Sequence, residues 1–330
     1  MKKPNKENLT QEHLYAFRMY YNKDFSLHKT MKEHFQVIID NVTNDKTALS
    51  IGFEELSEFY LMYALYVKMF DKEKSKATEL FSESATYSYG LIKFFNKECH
   101  QSHTSVVMMR KAVYLWTSLF MVDWDKEAIE TGIELIDSLN KNGNIIRYGN
   151  RLYPESWFLI DLFSLAFDKP YDKTLVDYPD NMKGYDIILK QWDTKEQSLV
   201  NDLVSTLCDI HLGIRETDED EPDFEYLNFN KEIMKYYPYI VIVFLAIREL
   251  KGLKNPKTFT HPLMNTPIAK MFLEMKEPLP KPTELPYAKE LLEKLKEKCP
   301  DVEVPEWLEE NTEKVNEAKS NDIIPDDFLK

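Results

Sequence analysis

Apolar side chains recur every three or four residues along most of this chain, which is the spacing of amphipathic helices. No stretch alternates between apolar and polar residues over enough positions to support a sheet. Short polar turns join consecutive helical segments, so neighbouring helices should pack as antiparallel pairs. The pattern predicts one helix or a broken pair over residues 10–42, and helices over 50–70, 72–95, 104–122, 125–139, 154–168, 184–192, 195–212, 231–252 and 287–298.

These segments predict an all-α fold, an irregular helical bundle of antiparallel helix pairs in two packed subdomains. A repeat solenoid is excluded, because the pairs differ in length and no consensus recurs at a fixed period. Turn-forming Asn-Gly and Gly-Asn dipeptides break the pattern after residue 140, and four prolines fall in EPLPKPTELP after residue 276. We therefore predict an N-terminal helical domain over 1–143, a C-terminal helical domain with an acidic loop over 144–276, and a proline-rich linker with a terminal helix and tail over 277–330.

Composition adds constraints on partners and compartment. The formal net charge of −14 argues against direct binding to nucleic acid, so a charged partner should be basic. Three cysteines without a CxxC motif fit a reducing compartment. The start of the chain has no apolar segment of the signal-peptide type, and the longest apolar run contains Pro238 and is too short to cross a bilayer. We expect a cytoplasmic protein with no membrane contact.

The most unusual stretch is an acidic loop before the most apolar predicted helix. Seven carboxylates crowd ten positions around Pro222: Glu216, Asp218, Glu219, Asp220, Glu221, Asp223 and Glu225. Aromatic residues follow them at Tyr226, Phe229, Tyr236 and Tyr237. Such a run is compatible with solvated surface, with a divalent-ion site, or with a recognition surface that imitates a phosphate backbone and docks into a basic cleft. Tyrosine-rich surfaces favour the last interpretation, because interface hot spots are rich in Tyr and Trp.

Motifs for catalysis are absent or weak. The chain has no P-loop, no GxSxG, no HExxH and no GxGxxG motif. Cys99, His100 and His103 are close enough for zinc, but no second ligand pair lies nearby in sequence, and a polar interhelical loop is the simpler interpretation. His211 and His261 flank the acidic loop and could serve proton transfer, although His261 before Pro262 is better explained as a loop residue that hydrogen-bonds the backbone. We predict no enzymatic activity and no cofactor.

The second half of the chain resembles the C-terminal domain of the PoNi immunity proteins, which neutralise PoNe DNase toxins of bacteria. The resemblance is carried by SLAFDKPYDKTLVDYPDN, GYDIILKQW, a helix followed by an acidic loop, KYYPYI, and LKGLKNPKTFTHPLMNTPIAKM, in that order. It implies a two-domain all-helical protein whose partner is a cognate toxin domain, a nuclease with a basic cleft. The acidic and aromatic residues named above would fill that cleft. Two alternatives remain open: a helical scaffold or regulatory protein that binds a peptide in a groove, and an enzyme with an acidic metal pocket.

Overall fold

The computed structural model of the chain describes residues 49–70, 74–97, 107–140, 145–146, 153–213, 236–282, 288–298, 300 and 303–308. These residues form an all-α protein, as the sequence predicts. The helices are α1 (Leu49–Phe70), α2 (Lys74–Lys97), α3 (Met109–Met121), α4 (Asp125–Asn140), α5 (Pro154–Phe167), α6 (Tyr185–Leu189), α7 (Gln197–Gly213), α8 (Tyr239–Leu250), α9 (Pro267–Leu273) and α10 (Ala288–Lys298). Short 3-10 helices lie at Lys173–Leu175 and Pro262–Asn265, and the two-residue strands β1 (Val107–Met108) and β2 (Ile145–Ile146) pair in parallel.

Most predicted helices are confirmed to within a few residues, and three are shorter than predicted. The helix predicted over 104–122 begins at Met109, because Val107 and Met108 pair with Ile145 and Ile146 as a short strand. The helix predicted over 231–252 begins only at Tyr239. Proline lacks the backbone N–H and clashes with the preceding turn of a helix, so Pro238 becomes the first flanking residue instead of an interior one. The helix predicted over 184–192 ends at Leu189. The segment predicted to be helical over 10–42 lies outside the described residues.

Helices α1 and α2 form an antiparallel hairpin, and small polar side chains meet in one part of the contact between them. The hydroxyl of Ser57 lies 2.6 Å from the Ser88 hydroxyl, and the Ser84 hydroxyl donates to the Ser57 carbonyl at 2.8 Å. Small side chains at these positions let the two helices approach closely, and the hydroxyls satisfy one another inside the core. The same hairpin buries two carboxyl groups, Glu58 and Glu83, which are 5 % and 6 % exposed.

The core is continuous across the boundary predicted between the first two domains. The indole of Trp116 on α3 packs edge-on against Phe163 of α5, with ring centroids 5.2 Å apart. Gly132 on α4 lies beneath the same ring, and a Cβ atom there would be 2.5 Å from Phe163 Cζ. The absence of a side chain at Gly132 is therefore what lets α4 and α5 approach each other at this contact.

Arg248 is fully buried at the end of α8 and hydrogen-bonds two connecting segments, one before α7 and one after α8. Its guanidinium donates to the carbonyls of Trp192, Thr194 and Lys254 and to the Asn255 side chain. The guanidinium carries five N–H donors on three nitrogens and reaches all four acceptors, whereas a lysine has only three donors on a single nitrogen. The side chain therefore fixes the chain before α7 and the chain after α8 relative to each other.

The C-terminal arm, defined as the described residues from Glu277 to Leu308, packs on the first half of the molecule. The predicted terminal helix is confirmed as α10, and its Leu291 and Leu295 are fully buried. Residues 277–282 form no helix, in agreement with an extended segment, but Leu279 hydrogen-bonds to the turn between α3 and α4. This segment is therefore attached to the body and does not run freely between domains. Of the helices in the described residues, none combines the length and apolar character needed to cross a bilayer.

Candidate functional site

The acidic loop that dominates the sequence lies between α7 and α8, and residues 214–235 are outside the described part of the chain. The structure consequently gives no position for the seven predicted acidic contacts or for Tyr226 and Phe229. It does describe both attachment points of the loop. His211 and Leu212 at the end of α7 are 5 % and 3 % exposed, and the chain resumes at Tyr236, which is 4 % exposed. The two ends of the acidic segment are thus anchored in the core.

Tyr236 and Tyr237 belong to that anchor, which changes their predicted role. Tyr237 is 1 % exposed, and its ring lies 5.8 Å from the ring of Tyr239 and 6.1 Å from that of Phe272. Burial raises the pKa of the Tyr237 phenol, so the group stays neutral. Side chains buried in this way cannot offer apolar surface to a partner as they lie here. The sequence pattern did not separate them from Tyr226 and Phe229, because tyrosine at helical spacing occurs both in cores and at interfaces.

The two histidines that flank the loop are held by packing and hydrogen bonds. His261 Nδ1 accepts from the Leu263 backbone N–H at 3.1 Å, which confirms the predicted contact with the backbone and caps the 3-10 helix. Its Nε2 lies 3.3 Å from an oxygen of Asp209. The His211 ring contacts the ring of Tyr239 edge-on, with centroids 5.5 Å apart. Both nitrogens of His261 are engaged in fixing the 261–265 turn to α7.

A polar cluster outside the predicted site is centred on Asp161 of α5. This carboxylate is 6 % exposed and accepts hydrogen bonds from the hydroxyls of Tyr171 and Tyr178, while Lys173 Nζ lies 3.0 Å away. The lysine also sits 3.9 Å from the centroid of the Tyr178 ring. Trp157, one turn earlier on α5, packs against both tyrosine rings. The only signal for this arrangement in the sequence is the recurrence of Asp, Lys and Tyr around two prolines.

The electrostatics of the Asp161 cluster favour a structural role. Burial, followed by the nearby Asp161 charge, raises the pKa of Tyr171, and burial with the Asp161 hydrogen bond raises that of Tyr178. Both phenols therefore remain protonated and keep donating to the carboxylate. A charge buried with three donors is compensated, and the cluster pins the long connection between α5 and α6 onto α5.

A second cluster of charged and aromatic side chains lies where the C-terminal arm crosses the turn between α3 and α4. Lys281 of the arm forms an ion pair with Glu127 and lies 4.4 Å from the centroid of Trp307 and 5.6 Å from that of Trp124. Negative charge is concentrated here. Burial, with the charges of Asp123, Glu249 and Glu127, raises the pKa of Asp125 to about 6. These carboxylates and aromatic rings form a small groove around the ammonium group of Lys281.

Within the described ranges, no group of three or more His, Cys, Asp or Glu side chains is placed to hold a metal ion. Cys99, His100 and His103, considered above as zinc ligands, lie outside these ranges. Comparison with family models, with curated proteins and with solved structures found no match for the chain. The resemblance to PoNi immunity proteins accordingly stays a prediction from the sequence.

Proposed function

We propose that this chain is a bacterial immunity protein that binds a cognate toxin domain, a nuclease with a basic cleft, and blocks it without performing chemistry. The observation that carries the proposal is the acidic segment between α7 and α8, where residues 216–225 contain seven carboxylates and no basic residue. A nuclease must attract a phosphate backbone, so its cleft is lined by Lys and Arg and will also accept clustered carboxylates. The cytoplasm is where such a protein would protect the cell that makes the toxin.

Anchoring of the loop ends supports this proposal. Leu212 and Tyr236, on either side of the segment, are buried in the core formed by α7, α8 and α9. Fixing both ends of a loop reduces the conformational entropy that binding must remove, compared with a free acidic tail. The charge is therefore attached to a rigid helical body, which adds bulk that would exclude DNA from the same cleft.

Charge and apolar contact have separate roles in this mechanism. Carboxylates at the rim of an interface raise the association rate and select basic partners, whereas buried ion pairs add little net affinity because desolvation offsets attraction. Apolar contact must then limit dissociation. Since Tyr236 and Tyr237 are buried, Tyr226 and Phe229 are the predicted aromatic contacts that remain.

The proposal is tested by growth rescue. Expression of the protein encoded by the adjacent open reading frame should arrest growth of a test strain, and co-expression of this chain should restore growth. A variant with Asp218, Glu219, Asp220 and Glu221 each changed to Lys, the loop-reversal variant, should fail to rescue. The control is a surface-reversal variant with the same net charge, in which the exposed residues Asp137, Glu277, Glu293 and Glu297 are changed to Lys. Rescue by both variants would remove the loop from the mechanism, and a lack of rescue by the wild-type chain would reject the immunity function.

A further inference from the structure

The groove at the turn between α3 and α4 holds an extended segment of the chain itself. The backbone N–H of Leu279 donates to the Val122 carbonyl at 2.9 Å, and the Leu279 carbonyl accepts from the Trp124 indole N–H at 2.7 Å. These bonds use backbone groups, so they would hold any extended residue at this position. Pro278 and Pro280 lack a backbone N–H and favour extended conformations, which matches a segment that pairs only through Leu279.

The specific part of the contact lies two residues further on. Lys281 ion-pairs with Glu127 while its ammonium group faces the rings of Trp124 and Trp307. A carboxylate combined with aromatic faces selects a cation over a neutral or anionic side chain. Tyr89 of α2 lies 6.0 Å from Trp307 and extends the aromatic wall. The Leu279 side chain packs against the core, so the groove accepts the pattern Leu-x-Lys in an extended chain.

The contacts that hold residues 279–281 in the groove are two hydrogen bonds at Leu279 and the contacts of Lys281 with Glu127, Trp124 and Trp307. Residues 276–278 and Pro280 are exposed and the side chain of Lys281 retains 31 % exposure, whereas Pro282, the next residue, is buried. Trp124 and Glu127 are positioned by helices with a core of their own, including Trp116 and Leu119 of α3, which are fully buried, whereas Trp307 belongs to the C-terminal arm itself. Local opening of a surface segment with few anchors costs much less than global unfolding.

We propose that this groove is a recognition site for an extended Leu-x-Lys peptide of a partner protein, and that residues 279–281 are its resident occupant until such a peptide displaces them. The site is independent of the acidic loop and of the proposed immunity function. The chain's own segment displays the chemistry that the groove accepts: one backbone pair, one apolar side chain and one ammonium group. A free peptide must compete with a tethered segment whose effective concentration is on the order of millimolar, so the wild-type protein should bind such peptides weakly.

The test uses the full-length chain and a fluorescein-labelled peptide of sequence MKEPLPKPTE, which reproduces the segment around Leu279 and Lys281. In the vacated variant, Leu279→Gly with Lys281→Ala, the chain's own segment loses its side-chain anchors. Fluorescence polarisation should show saturable binding to the vacated variant, at least about tenfold tighter than to the wild type. Replacing the peptide lysine that corresponds to Lys281 with alanine should weaken binding by about tenfold. Glu127→Gln in the vacated variant should weaken binding by a similar factor. Equal binding to wild type and vacated variant, or none to either, would overturn the proposal.

Hydrogen exchange provides a second test that needs no substitution. Excess unlabelled peptide added to the wild-type protein should accelerate exchange of the Leu279 amide, because displacement breaks its bond to Val122. Amides in the middle of α3 should keep their exchange rates. If the Leu279 amide exchanges equally slowly at every peptide concentration, the resident segment is a permanent part of the fold and the proposed site does not exist.

Discussion

Glu58, buried in the α1–α2 hairpin, should make the protein less stable as the pH rises. The carboxyl group is 5 % exposed, and its Oε1 atom has no hydrogen-bond partner. Burial, with a smaller contribution from the charge of Glu55 and an opposing one from Arg110, raises its pKa from 4.5 to about 8. The folded protein therefore keeps this proton over a pH range in which the unfolded chain has released it. The stabilisation is present below the unfolded pKa and is lost as the pH rises towards the folded pKa.

The magnitude follows from proton linkage. Each pH unit between the two pKa values changes the free energy of unfolding by about 1.4 kcal/mol per group. Raising the pH from about 5.5 to about 7.5 should then cost the wild type about 2 to 3 kcal/mol through Glu58 alone. Glu58→Gln cannot ionise and escapes this loss. Glu83, whose pKa burial also raises to about 8, contributes equally in both proteins and cancels in the comparison.

Urea denaturation followed by tryptophan fluorescence measures the difference. The free energy of unfolding of Glu58→Gln minus that of the wild type should become more positive by about 2 to 3 kcal/mol over that pH interval. Glu293→Gln on α10 is the control, because its side chain is 67 % exposed, and its difference from the wild type should stay nearly constant. If the Glu58→Gln difference changes by less than about 0.5 kcal/mol, the inferred burial of a neutral carboxyl is wrong.

Three further substitutions probe contacts that hold the fold. Gly132→Ala should lower the free energy of unfolding by about 1 to 3 kcal/mol in urea denaturation, because its methyl group meets the Phe163 ring; unchanged stability would show that α4 and α5 adjust freely. Arg248→Lys should cost about 2 to 4 kcal/mol by leaving buried carbonyls such as that of Thr194 unpaired, and a thermal melt within about 1 °C of the wild type would contradict this. Asp161→Ala should release the connection between α5 and α6, so limited proteolysis should cut between Lys169 and Lys183 faster than in the wild type; equal rates would mean that Tyr171 and Tyr178 hold the connection without the carboxylate.

Helix positions were predictable because their cause is local. Periodic apolar residues and Pro154 at a first turn are properties of a few neighbouring positions. The sequence did not predict contacts between residues that are far apart along the chain. Nothing near Lys281 indicates that it meets Glu127, which lies 154 positions away. The same limit explains why Tyr236 and Tyr237 were predicted to contact a partner, since their burial depends on Phe272 and other residues outside their own segment.

The candidate site likewise has one part that the sequence predicts and one part that only the fold reveals. Clustering of carboxylates at 216–225 is visible in the sequence, since charge density is a property of composition. The Asp161 cluster required the fold, because three side chains from a proline-containing connection converge on one carboxylate of α5. The recurrence of Asp, Lys and Tyr around Pro170 and Pro179 was the one local hint.

The salt dependence of toxin binding tests the central claim most directly. The dissociation constant of the complex, measured by calorimetry between about 50 mM and about 500 mM salt, should rise steeply for the wild type and for the surface-reversal variant. For the loop-reversal variant, affinity at low salt should fall by about a hundredfold or more, and the dependence on salt should flatten or change sign. Wild-type salt dependence in the loop-reversal variant would show that the 216–225 carboxylates do not face the basic cleft.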